Sequence, residues 1–144
     1  MTRAIQARLE TPRLEDYLEV IYHLIQDKGD ASVVDIAERL GVKPPTVTSM
    51  VQKLAKGDYL LHEPYRGMRL TAKGEKVARS VISRHSIVEE FLAILGVAEG
   101  TAHQDAEGIE HYIHPVTIRK IERLVDFLSQ NPSSLEAIRD YIDG

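Results

Sequence analysis

Apolar residues recur every three or four positions in the N-terminal part of the chain, which is typical of an amphipathic helix. The recurring residues are Leu14, Tyr17, Leu18, Ile21, Leu24 and Ile25. Thr11 followed by Pro12 is a helix start signal, with threonine as the cap and proline in the first helical position, and Gly29 is a stop signal. The pattern therefore predicts a first helix between Pro12 and Gly29.

A short polar interruption separates two further helical patterns. Ser32 is the predicted cap of a helix that ends at Leu40, and Pro44 opens a third helix that runs to about Lys56. Gly41 lies between them and permits a tight turn. Two helices joined by a turn of about three residues predict a helix-turn-helix.

Two short runs with strand character follow the third helix. Residues 59–63 and 68–70 flank Tyr65-Arg66-Gly67, and they predict two strands joined by a tight basic turn, which is called a wing. Thr71 is the predicted cap of a long helix whose apolar stripe ends at Gly96. The order helix, helix, turn, helix, wing predicts a winged helix-turn-helix.

Three more helices are predicted over residues 102–113, 115–129 and 133–142. Ser133 and Glu136 have the spacing of a capping box at the start of the last one. We expect a mainly α fold, in which an N-terminal winged helix-turn-helix domain (1–71) is joined by the long helix to an all-α dimerisation domain (72–144). An apolar helical lobe of this size buries little core alone, so its apolar stripes are expected to form a homodimer.

Composition narrows the class of protein. The 144 residues suit one compact domain or two small ones, and the absence of cysteine excludes disulfides, thiolate zinc fingers and iron–sulfur clusters. No apolar run is long enough to cross a membrane, and the N-terminus has no signal-peptide core. We therefore expect a cytoplasmic protein.

Charge is distributed unevenly along the chain. The formal net charge is −4, yet residues 41–80 hold eight basic and three acidic side chains, while both flanks are acidic. A basic segment that coincides with the predicted winged helix-turn-helix indicates a DNA-binding surface. Hydroxyl and amide side chains are expected to reach base edges, and lysine and arginine to contact phosphates. The candidate DNA-binding residues are Thr46, Thr48, Ser49, Gln52, Lys53, Lys56, Arg66 and Arg69.

Carboxylates and histidines recur at helical spacing in the C-terminal half. Glu107, Glu110, His111 and His114 stand at i, i+3, i+4 and i+7, with His103 one turn earlier, so we expect them on one helix face. Two other predicted helices carry such pairs one turn apart, namely Asp16 with Glu19 and His85 with Glu89. Oxygen and imidazole ligands suit Mn²⁺, Fe²⁺, Co²⁺ or Zn²⁺, and a carboxylate-rich set favours Mn²⁺.

Several short motifs together resemble one family. They are Glu15–Tyr22, Val33–Ala37, Val47–Leu54, Tyr65-Arg66-Gly67, Leu70–Gly74, Arg84-His85 and Glu107–His111. In this combination the chain resembles, from about residue 12 to 130, the manganese transport regulators of the diphtheria toxin repressor family of metal-dependent transcriptional regulators. The resemblance implies a Mn²⁺-activated repressor of manganese-uptake genes, which binds palindromic double-stranded operator DNA as a homodimer and in which metal tethers the two domains.

The resemblance also implies which side chains bind metal. In manganese-responsive members, two divalent ions per chain are held by residues that correspond to Asp16, Glu19, His85, Glu107, Glu110 and His111. Iron-responsive members carry methionine in place of Asp16 and cysteine in place of Glu107. Because carboxylates replace both sulfur ligands, Mn²⁺ is the expected cofactor, with Fe²⁺, Co²⁺, Zn²⁺ or Cd²⁺ as substitutes that the site could accept.

One residue departs from the pattern of the manganese regulators. His103 stands where iron-responsive members have a ligand of an ancillary site, so His85, Glu89 and His103 are candidates for a second, separate site. Whether the two ions share bridging carboxylates or occupy separate sites is therefore open at the level of sequence.

Other functions remain as alternatives. The first is an iron-responsive or mixed-metal regulator of the same family, and the second is a winged-helix regulator with an organic effector. The third is a small di-metal enzyme, but this leaves the winged helix unexplained, and no histidine follows a glutamate by three residues as such sites use. We therefore expect no catalytic residues.

Overall fold

The computed structural model describes residues 13–63 and 67–144. Its elements are α1 (Leu14–Lys28), α2 (Val33–Leu40), α3 (Pro44–Lys56), β1 (Leu60–Glu63), β2 (Gly67–Leu70), α4 (Ala72–Ile94), α5 (Glu99–Ile109), α6 (Pro115–Gln130) and α7 (Pro132–Asp143). The chain divides into two compact units, Met1–Val81 and Ile82–Gly144, and the division falls within α4. The domain boundary between residues 71 and 72 stays a prediction. None of the helices in the described ranges has the length and hydropathy needed to cross a membrane.

The N-terminal unit is organised around one apolar core. Its buried side chains come from α1, α2, α3 and both strands, and they include Tyr17, Leu18, Ile21, Leu24, Ile36, Val47, Val51, Leu54, Leu60 and Met68. Each large apolar side chain that is removed from water in this way stabilises the fold by roughly 1.5–3 kcal/mol. This core gives α3 and the wing a common support.

The helix-turn-helix forms where the sequence predicts it, because its caps are local. The Ser32 hydroxyl oxygen accepts a hydrogen bond from the Asp35 N–H (3.1 Å) and so caps α2. Gly41 ends α2 at φ 65°, a left-handed conformation that glycine adopts without steric cost. Pro44 occupies the first position of α3, where its missing N–H has no helical partner to lose. The predicted bounds of α2 and α3 are confirmed.

The predicted wing is also confirmed within the described residues. β1 and β2 are antiparallel, with Leu61 opposite Arg69 and Glu63 opposite Gly67. The Thr71 hydroxyl oxygen accepts a hydrogen bond from the Gly74 N–H (3.1 Å), which is the predicted cap of α4.

The predicted start of the first helix, Thr11-Pro12, lies outside the described residues. α1 begins at Leu14, and the backbone N–H of Arg13 donates a hydrogen bond to Asp16 Oδ2 (2.7 Å). Gly29 ends α1 at φ 83°, as the sequence predicts. An acidic residue in the first helical turn also interacts favourably with the helix dipole.

The C-terminal unit comprises the second half of α4 and the helices α5, α6 and α7. Its apolar cluster is small, with Ile94, Val125 and Leu128 buried at the centre. The Arg139 guanidinium on α7 donates a hydrogen bond from Nε to the Ile94 carbonyl oxygen (2.9 Å), where α4 ends. A core of this size is consistent with a unit that is completed by another surface.

Two helix boundaries in this unit differ from the sequence prediction. α5 begins at Glu99 and ends at Ile109, so Glu110 and His111 lie in the following turn and His114 is not on the same helix face. Pro115 takes the first position of α6 and disfavours helical backbone at His114, whose ψ is 144°, so His114 cannot continue α5.

The predicted capping box at the start of the last helix is wrong. Pro132 occupies the first position of α7, so Asn131 is the N-cap and Ser133 lies inside the first turn. The Asn131 side chain instead donates a hydrogen bond from Nδ2 to the Phe127 carbonyl oxygen (2.7 Å) at the end of α6.

Candidate metal centre and DNA-binding surface

α3 presents a polar face because its apolar face is buried in the core. Val47, Val51 and Leu54 are at most 2% exposed, so the polar positions between them point to solvent. All six candidate DNA-binding residues of this helix are exposed, namely Thr46, Thr48, Ser49, Gln52, Lys53 and Lys56. The Thr48 hydroxyl donates a hydrogen bond to the Pro44 carbonyl oxygen (3.2 Å), which leaves its oxygen able to accept one.

The wing adds a basic side chain to the same unit. Arg69 is exposed on β2, directly after the buried Met68. Arg66, the other candidate on the wing, lies outside the described residues. The basic side chain of Lys73 makes contacts within the protein. Its Nζ donates a hydrogen bond to the Gly57 carbonyl oxygen (2.9 Å) and lies 4.2 Å from the centre of the Tyr59 ring.

The C-terminal unit brings together histidines and carboxylates from α4, α5 and the turn after α5. The imidazole of His85 is at the centre, with Nδ1 2.9 Å from Glu110 Oε2 and Nε2 2.9 Å from Glu89 Oε2. His103 Nδ1 lies 3.1 Å from His85 Nε2 and 3.4 Å from Glu89 Oε2. His85, Glu89 and His103 thus offer one ligand atom each within 4.8 Å of one another.

Two further predicted ligands lie at the edges of this cluster. The imidazole of His111 places Nε2 3.4 Å from Glu110 Oε1, so Glu110 lies between two imidazoles. Glu107 Oε1 is 3.3 Å from His103 Nε2 and is largely exposed. All six candidate ligands of the C-terminal unit therefore belong to one connected set of contacts.

Glu110 is the buried charged residue of the described part of the chain. Its side chain is 1% exposed, and those of His111 and His85 are 8% and 14% exposed. A carboxylate is costly to bury unless it is paired with a positive charge or a metal ion. The two imidazoles beside it offer neutral nitrogen ligands, and no thiolate is available because the chain has no cysteine. This donor set fits a divalent transition metal ion.

Asp16 and Glu19, the candidate ligands of the N-terminal unit, are half-buried on α1 and stand one turn apart. The Asp16 carboxylate accepts the hydrogen bond from the Arg13 N–H that is described above. Burial, reinforced by the negative charge of the adjacent Asp16, raises the pKa of the Tyr17 hydroxyl. Because Asp16 is half-buried and precedes the buried Tyr17, it stands at the edge of the core rather than in open solvent.

His114 has a role that spacing alone does not reveal. Its Nδ1 accepts a hydrogen bond from the Val116 N–H (3.2 Å), so it caps α6. The signal in the sequence is the Pro115 that follows, because a residue directly before a helical proline occupies the N-cap.

Two protein-family models match this chain. The model of the iron dependent repressor, N-terminal DNA binding domain, matches residues 10–68, and that of the iron dependent repressor, metal binding and dimerisation domain, matches residues 71–138. Together with the winged helix-turn-helix and the cluster of metal-ligand side chains, they define a metal-dependent, DNA-binding transcriptional repressor. The chain belongs to the iron-dependent repressor family, and the family resemblance of its motifs is confirmed.

Individual relatives agree with this assignment. Over 132 residues, the chain is 48% identical to the HTH-type transcriptional regulator MntR of Geobacillus kaustophilus (strain HTA426), covering 92% of this chain and 94% of that protein. The structure of the manganese regulator SloR is similar with a TM-score of 0.73 and 33% identity, and that of ScaR with bound Zn²⁺ with a TM-score of 0.70 and 31% identity. Both comparisons cover 81% of this chain but only 55% of the other, so the chain spans about half the length of these solved chains. The chain therefore belongs to a family of regulators that require a divalent metal ion, bind DNA and form dimers.

Proposed function

We propose that this chain is a Mn²⁺-activated repressor of manganese-uptake genes, which acts in the cytoplasm on palindromic operator DNA. The observation that carries the proposal is the thiol-free cluster around the buried Glu110 carboxylate, which combines oxygen and imidazole donors. Such a set narrows the advantage that softer ions have over Mn²⁺. The similarity to MntR of Geobacillus kaustophilus and to SloR, a manganese regulator, supports the same metal.

We propose that two ions bind per chain. The ligands are Asp16, Glu19, His85, Glu107, Glu110 and His111, and Glu89 and His103 complete a second site with His85. A bound divalent ion supplies positive charge that offsets the repulsion among these carboxylates. The contacts of His85, which reach Glu110 through one ring nitrogen and Glu89 and His103 through the other, support a pair of sites.

The proposed activation depends on which domain each ligand belongs to. Asp16 and Glu19 are on α1 of the proposed DNA-binding domain (1–71), whereas the other ligands are in the proposed metal-binding and dimerisation domain (72–144). Ligands drawn from both domains would restrict their relative movement and fix the separation of the two recognition helices in a dimer. The two half-sites of an operator are about one DNA turn apart or a multiple of it. A dimer therefore binds both half-sites only when the separation of its recognition helices matches that distance. A coupling of about 1–3 kcal/mol would raise DNA affinity roughly 5–150-fold.

The experiment that tests this function is selection of DNA from a random pool by the purified chain, in parallel with Mn²⁺, with Fe²⁺ and with chelator. We expect enrichment of a palindromic sequence with Mn²⁺ and none with chelator. Equal enrichment in chelator would keep the DNA-binding activity but exclude metal activation. Enrichment with Fe²⁺ alone would favour the iron-responsive alternative.

A separate experiment tests the number of ions. Equilibrium dialysis of wild type against Mn²⁺ should give two ions per chain, and His103→Ala should give one, because this histidine contacts His85, Glu89 and Glu107 and is proposed as a ligand of the second site alone. His114→Ala is the matched control, since His114 caps α6 and should not change the stoichiometry. Two ions retained by His103→Ala would show that His103 is not a ligand.

A further inference from the structure

We propose that Asp30 is a positioning residue for DNA binding, which holds the wing strand β2 against the helix-turn-helix and so sets the place of Arg69. This inference rests on the proposed function, because it assigns Asp30 a task in operator binding. Asp30 lies in the loop between α1 and α2, outside the candidate DNA-binding residues, and is distant in sequence from the wing.

The contact is a hydrogen-bond bridge between two parts of the N-terminal unit. Asp30 Oδ1 accepts one hydrogen bond from the Ala31 N–H (2.8 Å) and another from the Met68 N–H (3.1 Å) on β2. Ala31 and Met68 are both buried, at 2% and 3% exposure. Hydrogen bonds that a backbone N–H donates to a carboxylate are stronger than those between neutral groups.

Gly67 leaves the space that the Asp30 carboxylate occupies beside β2. This residue has φ 75°, and a Cβ added to it would overlap the Asp30 carboxylate. Only glycine at this position allows β2 to begin beside Asp30 with its N–H groups accessible. Gly67 therefore allows the close approach of Asp30 to the start of β2.

The wing needs such support because it is a ribbon of only two strands in the described structure. An isolated two-stranded hairpin is marginally stable in water, and the outer edge of each strand has unpaired backbone groups. Asp30 binds one of these groups at Met68, whose side chain enters the core. Successive side chains of a strand point to opposite faces, so fixing Met68 fixes the outward direction of the adjacent Arg69.

The direction in which Asp30→Ala changes operator affinity distinguishes a positioning role from a purely electrostatic one. Removing a negative charge from a DNA-binding unit should by itself strengthen binding to the phosphate backbone. Positioning predicts the opposite for Asp30→Ala, about 10-fold weaker operator binding, because the Met68 N–H loses its partner and the place of Arg69 is no longer held. Asp30→Asn keeps an oxygen that can accept both hydrogen bonds, so it should stay within about 2-fold of wild type.

The test measures operator binding by the full chain with saturating Mn²⁺ for wild type, Asp30→Ala, Asp30→Asn and Arg69→Ala, and for the double variant Asp30→Ala/Arg69→Ala. Glu38→Ala is the charge control, since Glu38 is an exposed acidic residue of α2 in the same unit. Circular dichroism and Mn²⁺ affinity are measured for each variant to show that the fold and the metal centre are retained.

We expect Arg69→Ala to weaken binding in the wild-type background and to lose most of that effect in the Asp30→Ala background. The slope of log affinity against log salt should fall by about 1 for either variant, which corresponds to one phosphate contact. Full, additive effects of the two substitutions would overturn the inference, and so would Asp30→Ala binding as tightly as Glu38→Ala. If wild type itself selects no operator, the proposed function fails, whereas operator binding that is insensitive to Arg69→Ala overturns this inference and leaves the proposed function standing.

Discussion

His85 Nδ1 lies 2.9 Å from Glu110 Oε2, and this carboxylate is almost completely buried. The pairing explains how the chain keeps an ionisable group inside a small helical unit, because each of the two adjacent imidazoles contacts one of its oxygens. The same arrangement puts the negatively charged Glu110 carboxylate beside the imidazole nitrogens of His85 and His111, so that all three could bind one divalent cation. Glu110 is therefore the side chain on which we expect the proposed metal centre to depend most.

We predict that Glu110→Gln lowers Mn²⁺ affinity at least about 10-fold, since substitutions even of groups that only support a ligand cost about 10–100-fold. Glutamine keeps the shape and one oxygen acceptor, so the metal-free fold should change less than metal binding does. Titration calorimetry measures the affinity and thermal unfolding measures the fold. Glu122→Gln on the exposed side of α6 is the control. An unchanged affinity for Glu110→Gln would contradict the assignment of this residue as a ligand.

A second prediction separates base recognition from phosphate contact on α3. Gln52→Ala should relax the preference at one operator base pair and cost roughly 1–3 kcal/mol there, because a bidentate amide contact discriminates between bases. Lys53→Ala should weaken binding to all sequences alike and lower the salt slope by about 1. Binding of the two variants to a panel of single-base operator variants over a salt series is the measurement. A uniform loss for Gln52→Ala would place this side chain on the backbone instead.

Features set by adjacent residues could be predicted from the sequence. Ser32 capping α2, Pro44 opening α3 and Thr71 capping α4 follow from contacts within four residues, and the structure confirms all three. The apolar face of α3 was equally predictable, because a period of 3.6 leaves one face for the core.

Features that depend on competition or on distant contacts could not be predicted in this way. The spacing of Glu107, Glu110 and His111 indicates a single helix, but α5 ends at Ile109 and two of them lie in the turn that follows. Ser133 has the right spacing for a cap, yet Pro132 takes the first helical position before it. The hydrogen bond between Asp30 and Met68 joins residues 38 positions apart, so no local pattern contains it.

A third prediction concerns pH and the cap of α2. The hydrogen bond with the Ser32 side chain, assisted by the charge of Lys28, lowers the pKa of Asp35 below its ordinary value of 3.8. A lowered pKa means that the ionised carboxylate stabilises the fold above the unfolded-state pKa, and that this stability is lost as the pH falls through the lower value in the folded state. Asp35→Asn should therefore be less stable than wild type at pH 7, with a difference that narrows as the pH falls towards and below 3.8.

Urea unfolding of the two proteins over a pH series checks this prediction. Glu38→Gln, an exposed carboxylate of the same helix, is the control and should show no such narrowing. A stability difference that is the same at every pH would assign the effect to packing or propensity rather than to the charge of Asp35.

The last prediction concerns the dimer. Val116, Leu124 and Phe127 are 54%, 44% and 52% exposed, and their spacing places them on one face of α6, away from the buried Val125 and Leu128. Apolar side chains that are this exposed on one face mark an interaction surface, and the unit is matched by a dimerisation domain. Phe127→Glu should therefore shift the chain towards monomer in sedimentation velocity and weaken operator binding, because two recognition helices must act together. Ser129→Glu adds the same charge outside this face and should remain dimeric, so a dimer that persists equally in both variants would place the interface elsewhere.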